Sequence, residues 1–360
     1  MSTLAIMRIS LLSLTIVVSI LSFGCHQDLG TPVSPGPKWR VFTKETTPLV
    51  SNTVNAVAVD AQDIVWFGTD GGASTLRNTV WNFYVDQLAY TSYNASIPTT
   101  EHAVNSIAFG TDGSTWFGLR GGGVRRFLPS STNLMWTSYS AEDNPPSFTG
   151  NNIIQLVADN FGPNGSSEIW TASYPFGGAS RYLPRNTLPL LGDWRILTTA
   201  DGLPSNYITS LQVNFAQRTI WFGSGYGDLM SWDNGMQWVR TVLPNGYNGP
   251  VQCITFEGSN ILWVGTVDGA FRRTVSWRFF TIADGLPSNT VHTIVVDPHG
   301  VKWIGTDGGL TRYDNYTMTT FNHTNSPLPD DHVNALALDL DARIWIGTNH
   351  GAAVYNPDGK

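Results

Sequence analysis

Apolar and polar positions alternate along this chain in short runs, and the runs recur at a fixed spacing. The clearest reads Val291-His292-Thr293-Ile294-Val295-Val296-Asp297, then Gly300, then Trp303-Ile304-Gly305-Thr306-Asp307-Gly308-Gly309, then Tyr313. Its elements are an apolar strand start, an Asp six residues later, a turn, a Trp followed by Gly, and a second turn closed by Gly. The phrase comes seven times, often but not always with the Asp, and has its Trp at 66, 116, 170, 221, 263, 303 and 345. The last four Trp are 40 to 42 residues apart; the first three intervals are 50 to 54, so the early repeats carry insertions. The segments are rich in Val, Ile, Thr and Trp, and Gly interrupts every one. That excludes helical repeats and predicts blades of a β-propeller.

Each unit reads as four strands. Strand a is rich in Val and Ile, as in Val333 to Leu338, and strand b carries the Trp-x-Gly. Strand c follows the Gly turn and ends in an aromatic such as Phe127, Tyr182, Trp232, Tyr313 or Tyr355. Strand d starts near a second aromatic: Trp81, Trp136, Trp194, Trp238 and Trp277, with Tyr316 in the sixth unit. The last unit stops after strand c, at Tyr355, whereas Trp39-Arg40-Val41-Phe42-Thr43 is a strand d with no unit before it. The strand count balances only if this first strand completes the last blade, giving an all-β, seven-bladed ring. Such a closure also removes an exposed sheet edge.

The recurring residues read as scaffold. A Trp at one place in every blade suits blade-to-blade packing, since a buried indole covers roughly 150–250 Å². The Gly after it permits close approach of sheets, and the Gly closing the b–c turn supplies positive φ. Asp60, Asp159, Asp297 and Asp339 end strand a and are expected to cap the a–b turn. The segment Ala200 to Asn206, repeated as Ala283 to Asn289, is a turn formula.

Composition narrows the partners. Charged residues are 13% of the chain, the net charge is -7, and no Lys/Arg cluster exists to neutralise phosphates, so a nucleic-acid partner is excluded. Two cysteines make no disulfide framework, and Cys253, in Val251 to Phe256, reads as a buried, inert thiol. Arg8 precedes an uncharged apolar run, Ile9 to Phe23, which suits a signal-peptide core and falls short of the roughly 20 residues of a spanning helix. The chain therefore divides into a signal peptide (1–24), a Pro-containing tether (25–37) and a propeller (38–360). Gly24-Cys25 after the apolar run resembles the bacterial lipoprotein signal, which implies acylation of Cys25; Ser22 and Phe23 depart from its usual pattern. The expected location is outside the cytoplasm, lipid-anchored in the envelope, or secreted or periplasmic if Cys25 is not acylated. Contact with membrane is expected only through the lipid, and the chain is expected to be monomeric.

Function is sought where the repeats differ at a place the fold leaves free. Four residues after each Trp stand Asp70, Arg120, Tyr174, Gly225, Val267, Asp307 and Asn349, and one place further come Tyr226, Asp268 and His350. These b–c turns share a face with the d–a loops at the mouth of the central channel. Asp70, Arg120, Tyr174, Tyr226, Asp268, Asp307, Asn349 and His350 form a rim suited to a small polar ligand or oligosaccharide, Tyr faces packing on sugar rings while the polar groups orient hydroxyls. A second ring at the start of strand a, Asn55, Asn105, Thr209, Gln252, His292 and Asn334, is expected to line the channel. No His pair has metal-ligand spacing and no Gly-x-Ser-x-Gly or phosphate-binding loop occurs, so neither metal nor cofactor is expected.

The repeats resemble the two-component regulator propeller family, most closely over Trp303 to Leu310 and Tyr313, then over Trp345-Ile346-Gly347-Thr348 and Trp66 to Gly72. The resemblance spans about 39–360. It implies an extracytoplasmic sensory propeller, in a family whose members often respond to polysaccharide fragments. The sequence carries no β-sandwich, membrane helix or kinase of that family, so a stand-alone binding propeller is expected. Two other readings stay open. One is an enzyme resembling the streptogramin-lyase propellers, with His292 or His350 assisted by Asp268 or Asp307. The other is an envelope scaffold docking protein partners through the insertions Thr137 to Gly150 and Asn160 to Ser167.

Overall fold

The computed structural model describes residues 38–357 except 89, 92–99, 102, 130–133, 144–145, 185–192 and 234–236. Residues 1–37, with the expected signal peptide, tether and Cys25, lie outside the described residues. Seven four-stranded antiparallel sheets make the ring. Strands a of blades 1 to 7 are Val54–Val59, Val104–Phe109, Asn152–Ala158, Ile208–Asn214, Val251–Glu257, Val291–Val296 and Val333–Leu338. Strands b, each carrying the recurrent Trp, run from Val65–Thr69 in blade 1 to Ile344–Thr348 in blade 7. The closing strand is as the strand count requires. Trp39–Phe42 pairs antiparallel with Gly351–Tyr355, in the register Trp39↔Tyr355 to Phe42↔Ala352. An extra two-stranded pair, Tyr90–Thr91 with Thr100–Glu101, marks the first insertion.

Position in the blade explains the composition of each strand. Strand b lies between a and c and between neighbouring blades, so it is buried throughout, as in Val65–Thr69 and Ile344–Thr348, and reads as a continuous apolar run. Strand d is outermost and largely exposed, as in Val80–Tyr84. Every recurrent Trp meets an aromatic of the next blade: Trp66 with Phe117, Trp116 with Tyr182, Trp170 with Phe222, Trp221 with Phe256, Trp263 with Tyr313, Trp303 with Tyr355 and Trp345 with Phe67. The Gly two places after Trp is where the blades touch. A Cβ on Gly68, Gly118 or Gly305 would fall 2.5–2.7 Å from the first apolar side chain of the next strand a, namely Val104, Ile153 or Val333. Blade 3 departs from the phrase, with Ala172 at this position.

The Asp residues that end strand a do more than cap the turn. Asp297 Oδ1 accepts from the backbone N–H of His299 and Val301, while Oδ2 accepts from the indole N–H of Trp303. Asp60, Asp159 and Asp339 serve Trp66, Trp170 and Trp345 in the same way. Glu257, Ser114 and Thr219 supply the acceptor for Trp263, Trp116 and Trp221. A buried indole N–H needs such a partner.

The recurrent d–a formula folds as expected of a turn. Thr198 and Thr281 cap single turns of 3-10 helix with Asp201 and Asp284 completing capping boxes. Asn206 and Asn289 then accept a backbone N–H from the same turns.

Candidate functional site at the channel mouth

The channel wall is built by a backbone irregularity. Every strand a slips register against strand b after its first apolar residue, between Val54/Ala56, Val104/Ser106, Ile153/Gln155, Ile208/Ser210, Val251/Cys253, Val291/Thr293 and Val333/Ala335. Such bulges leave the skipped residue out of the ladder and re-aim its side chain. The skipped residues are Asn55, Asn105, Ile154, Thr209, Gln252, His292 and Asn334, and all seven line a channel cavity of about 500 Å³. The six polar ones are the ring expected from sequence.

In four blades the bulge residue meets the b–c turn residue fifteen positions on. Asn55 Nδ2 donates to Asp70 Oδ1 (2.8 Å), Arg120 to Asn105 Oδ1 (3.4 Å) and Asn334 Nδ2 to Asn349 Oδ1 (2.9 Å); His292 Nε2 lies 2.6 Å from Asp307 Oδ1. Arg120 also reaches Asp70 at 3.3 Å, joining blades 1 and 2. Burial tends to raise the Asp307 carboxyl, but the His292 hydrogen bond and nearby imidazoles hold it below the usual carboxylate range. Blades 6, 7, 1 and 2 thus give the mouth a continuous polar sector.

Blades 3 and 4 give it an aromatic sector. Tyr174 and Tyr226 are 42% and 53% exposed, which leaves their faces open to a ligand. They are joined by Tyr207, a residue of the d–a loop outside the aligned b–c positions. Its ring lies 5.6 Å from Tyr174, 5.6 Å from Phe176 and 5.8 Å from Tyr226. It packs on Gly225, where a Cβ would collide with it. Tyr174 and Tyr207 both line the channel cavity.

Other expectations resolve one by one. Asp268 is exposed, its backbone N–H bonded to Thr266 Oγ1. His350 Nδ1 bonds Asp330, a d–a loop residue, so the sequence pairing of His350 with Asp307 or Asp268 is not what forms. Instead His332, immediately before strand a of blade 7, places Nδ1 2.8 Å from the Asp307 oxygen that His292 meets. Its forty-residue separation from His292 is one blade period, which is why no ligand-type spacing shows in sequence. Cys253 is only half-buried and its Sγ packs on Gly265, but desolvation pushes the thiol up to about 12, so it stays protonated as expected of an inert thiol. The insertion Asn160 to Ser167 is pinned to blade 2 through Thr111 and Ser167.

These features define a seven-bladed β-propeller with a channel mouth that is polar on one side and aromatic on the other. A profile of the two component regulator propeller repeat matches residues 48–71, so the resemblance read from the sequence is shown on the first blade. Among solved structures, the extracellular domain of a hybrid two component system from B. thetaiotaomicron is 19% identical with a TM-score of 0.68, over 89% of this chain and 41% of that one. A streptogramin B lyase is 15% identical with a TM-score of 0.64, over 88% and 97% of the two chains. PorZ, a surface component of the type-IX secretion system of Porphyromonas gingivalis, is 14% identical with a TM-score of 0.62, over 85% and 47%. The chain therefore spans less than half the length of the two-component ectodomain. At these identities the likeness is one of fold. No curated protein matches the sequence.

Proposed function

We propose that this protein is a non-catalytic, extracytoplasmic propeller that binds a hydroxylated, ring-containing ligand of oligosaccharide type at the channel mouth. The observation that carries the reading is the cavity of about 500 Å³ that Tyr174 and Tyr207 share with Asn55, Asn105, His292 and Asn334. A sugar presents an apolar face to aromatic rings and hydroxyls to side-chain amides, and this cavity offers both within one opening. Placement outside the cytoplasm is supported by the apolar N-terminal run and by the likeness to the extracellular two-component domain. Acylation of Cys25 is part of the same proposal, and a mass of the mature N-terminus tests it.

The test is an oligosaccharide array followed by calorimetry on the best binder. Tyr207→Ala and the double change Tyr174→Ala, Tyr226→Ala should each weaken retention at least about tenfold, the equivalent of roughly 1.4 kcal/mol, with the protein still folded at the assay temperature by circular dichroism. Unaltered retention sinks the proposal. The enzyme reading has one observation in its favour, the 2.6 Å approach of His292 to Asp307. It requires a turnover that His292→Ala abolishes.

A further inference from the structure

The geometry points to a binding site for one divalent transition-metal ion, of the zinc type, formed by His292, Asp307 and His332 where blades 6 and 7 meet. This goes beyond ligand binding at the mouth and stands without it. His292 Nε2 and His332 Nδ1 approach the same oxygen, Asp307 Oδ1, at 2.6 and 2.8 Å. The imidazole rings lie 4.6 Å apart at 36°, and the three ligand atoms all fall within 4.8 Å of one another. Two ligand atoms each about 2.1 Å from an ion are separated by about 3.4 Å in a tetrahedral arrangement. Converting the two hydrogen bonds into metal bonds therefore takes a widening of about 0.6–0.8 Å at side chains 21%, 40% and 36% exposed.

The chemistry of the donor set agrees. Two neutral imidazoles and one carboxylate suit zinc and its neighbours, and discriminate against magnesium and calcium, which favour oxygen ligands. The three groups come from three places on the frame: the strand a bulge of blade 6, its b–c turn, and the residue leading into strand a of blade 7. Three protein ligands leave coordination positions free, as in sites where a zinc ion holds water or a ligand oxygen. His292 also lines the channel cavity, so those positions are next to it. The molecule contains its own controls. His323 with Asp331, and His350 with Asp330, are pairs with an exposed imidazole that meet no second imidazole among the described residues.

The experiment strips the purified protein with a chelator and titrates it with Zn(II), then with Co(II) followed by visible absorption. One equivalent should bind, and Co(II) should give d–d bands of a histidine-ligated site. His332→Ala and Asp307→Asn should each weaken Zn(II) by more than about 100-fold, beyond the loss of an outer-shell partner. His350→Ala and His323→Ala should leave it unchanged, and all four variants should keep the metal-free melting curve. Absence of saturable binding overturns the site, as does binding that survives His332→Ala with His292→Ala. No saccharide is present in these titrations, so their failure and that of the binding proposal are separate results.

Discussion

At the scale of single residues, the Asp that ends strand a carries the most consequence. Asp297 is buried and satisfies two turn N–H groups and the indole of Trp303, itself fully buried. Asp297→Ala leaves those donors without an acceptor and should cost roughly 2–4 kcal/mol in denaturant unfolding, with Asp297→Asn recovering part. The capping role was legible in sequence because Asp favours turns. The indole contact was not, since nothing in a six-residue spacing says that the hairpin folds the side chain back onto Trp. Asp201 gives a pH signature. The Thr198 backbone N–H chiefly, with Arg195 and the Thr198 hydroxyl, lowers its carboxyl despite slight desolvation. A group depressed in the folded state stabilises above its unfolded value, about 3.9, and loses that effect as pH falls through the folded one. Asp201→Ala should therefore melt below the parent protein at pH 7, and the difference should shrink below pH about 4.

Strands and their contacts set the next scale. The Gly after the Trp marks the closest contact between blades. Gly305→Val would force a branched side chain onto Val333 and Thr293 and should cost about 1–3 kcal/mol as overpacking, seen as a lower denaturation midpoint. Deleting residues 38–44 removes the partner of Gly351–Tyr355 and the buried Phe42, which stacks on Trp345. Hydrogen exchange should then quicken in 333–355 while blades 3 and 4 keep their protection; uniform loss would contradict the pairing. The strand count makes this closure readable in the sequence, because d strands and a–b–c sets balance in one way only. The bulges were not readable. A polar residue second in strand a announces a hydrated wall, but the register slip that frees it depends on strand b, whose phrase carries no mark of it.

For the whole ring, the candidate site was legible in half. Aligning the repeats found the polar positions, since the b–c turn falls four or five residues after each Trp and the bulge residue eleven before it in five blades, twelve at Thr209. It missed Tyr207 and His332, which stand in d–a loops of variable length and join the site only when neighbouring blades are set side by side. Both polar and aromatic sectors therefore belong to the ring rather than to any blade. The Arg120–Asp70 bridge is exposed on both partners and contributes little to stability. Arg120→Ala should leave the melting temperature within about a degree or two, as expected of a surface change within ±0.5 kcal/mol, and alter only ligand retention.

The closing pair also fixes how the molecule would answer tension. Trp39 faces Tyr355, and the Asn356 N–H donates to the Lys38 carbonyl. Both ends of the described ring thus lie at one end of one antiparallel ladder. A force drawing those ends apart would load its bonds singly, in the manner of a zipper, and would open the last blade first at low load. A force entering from the N-terminal side and balanced by a ligand at the channel mouth would take another route, along the closing strand in shear, with several bonds resisting together.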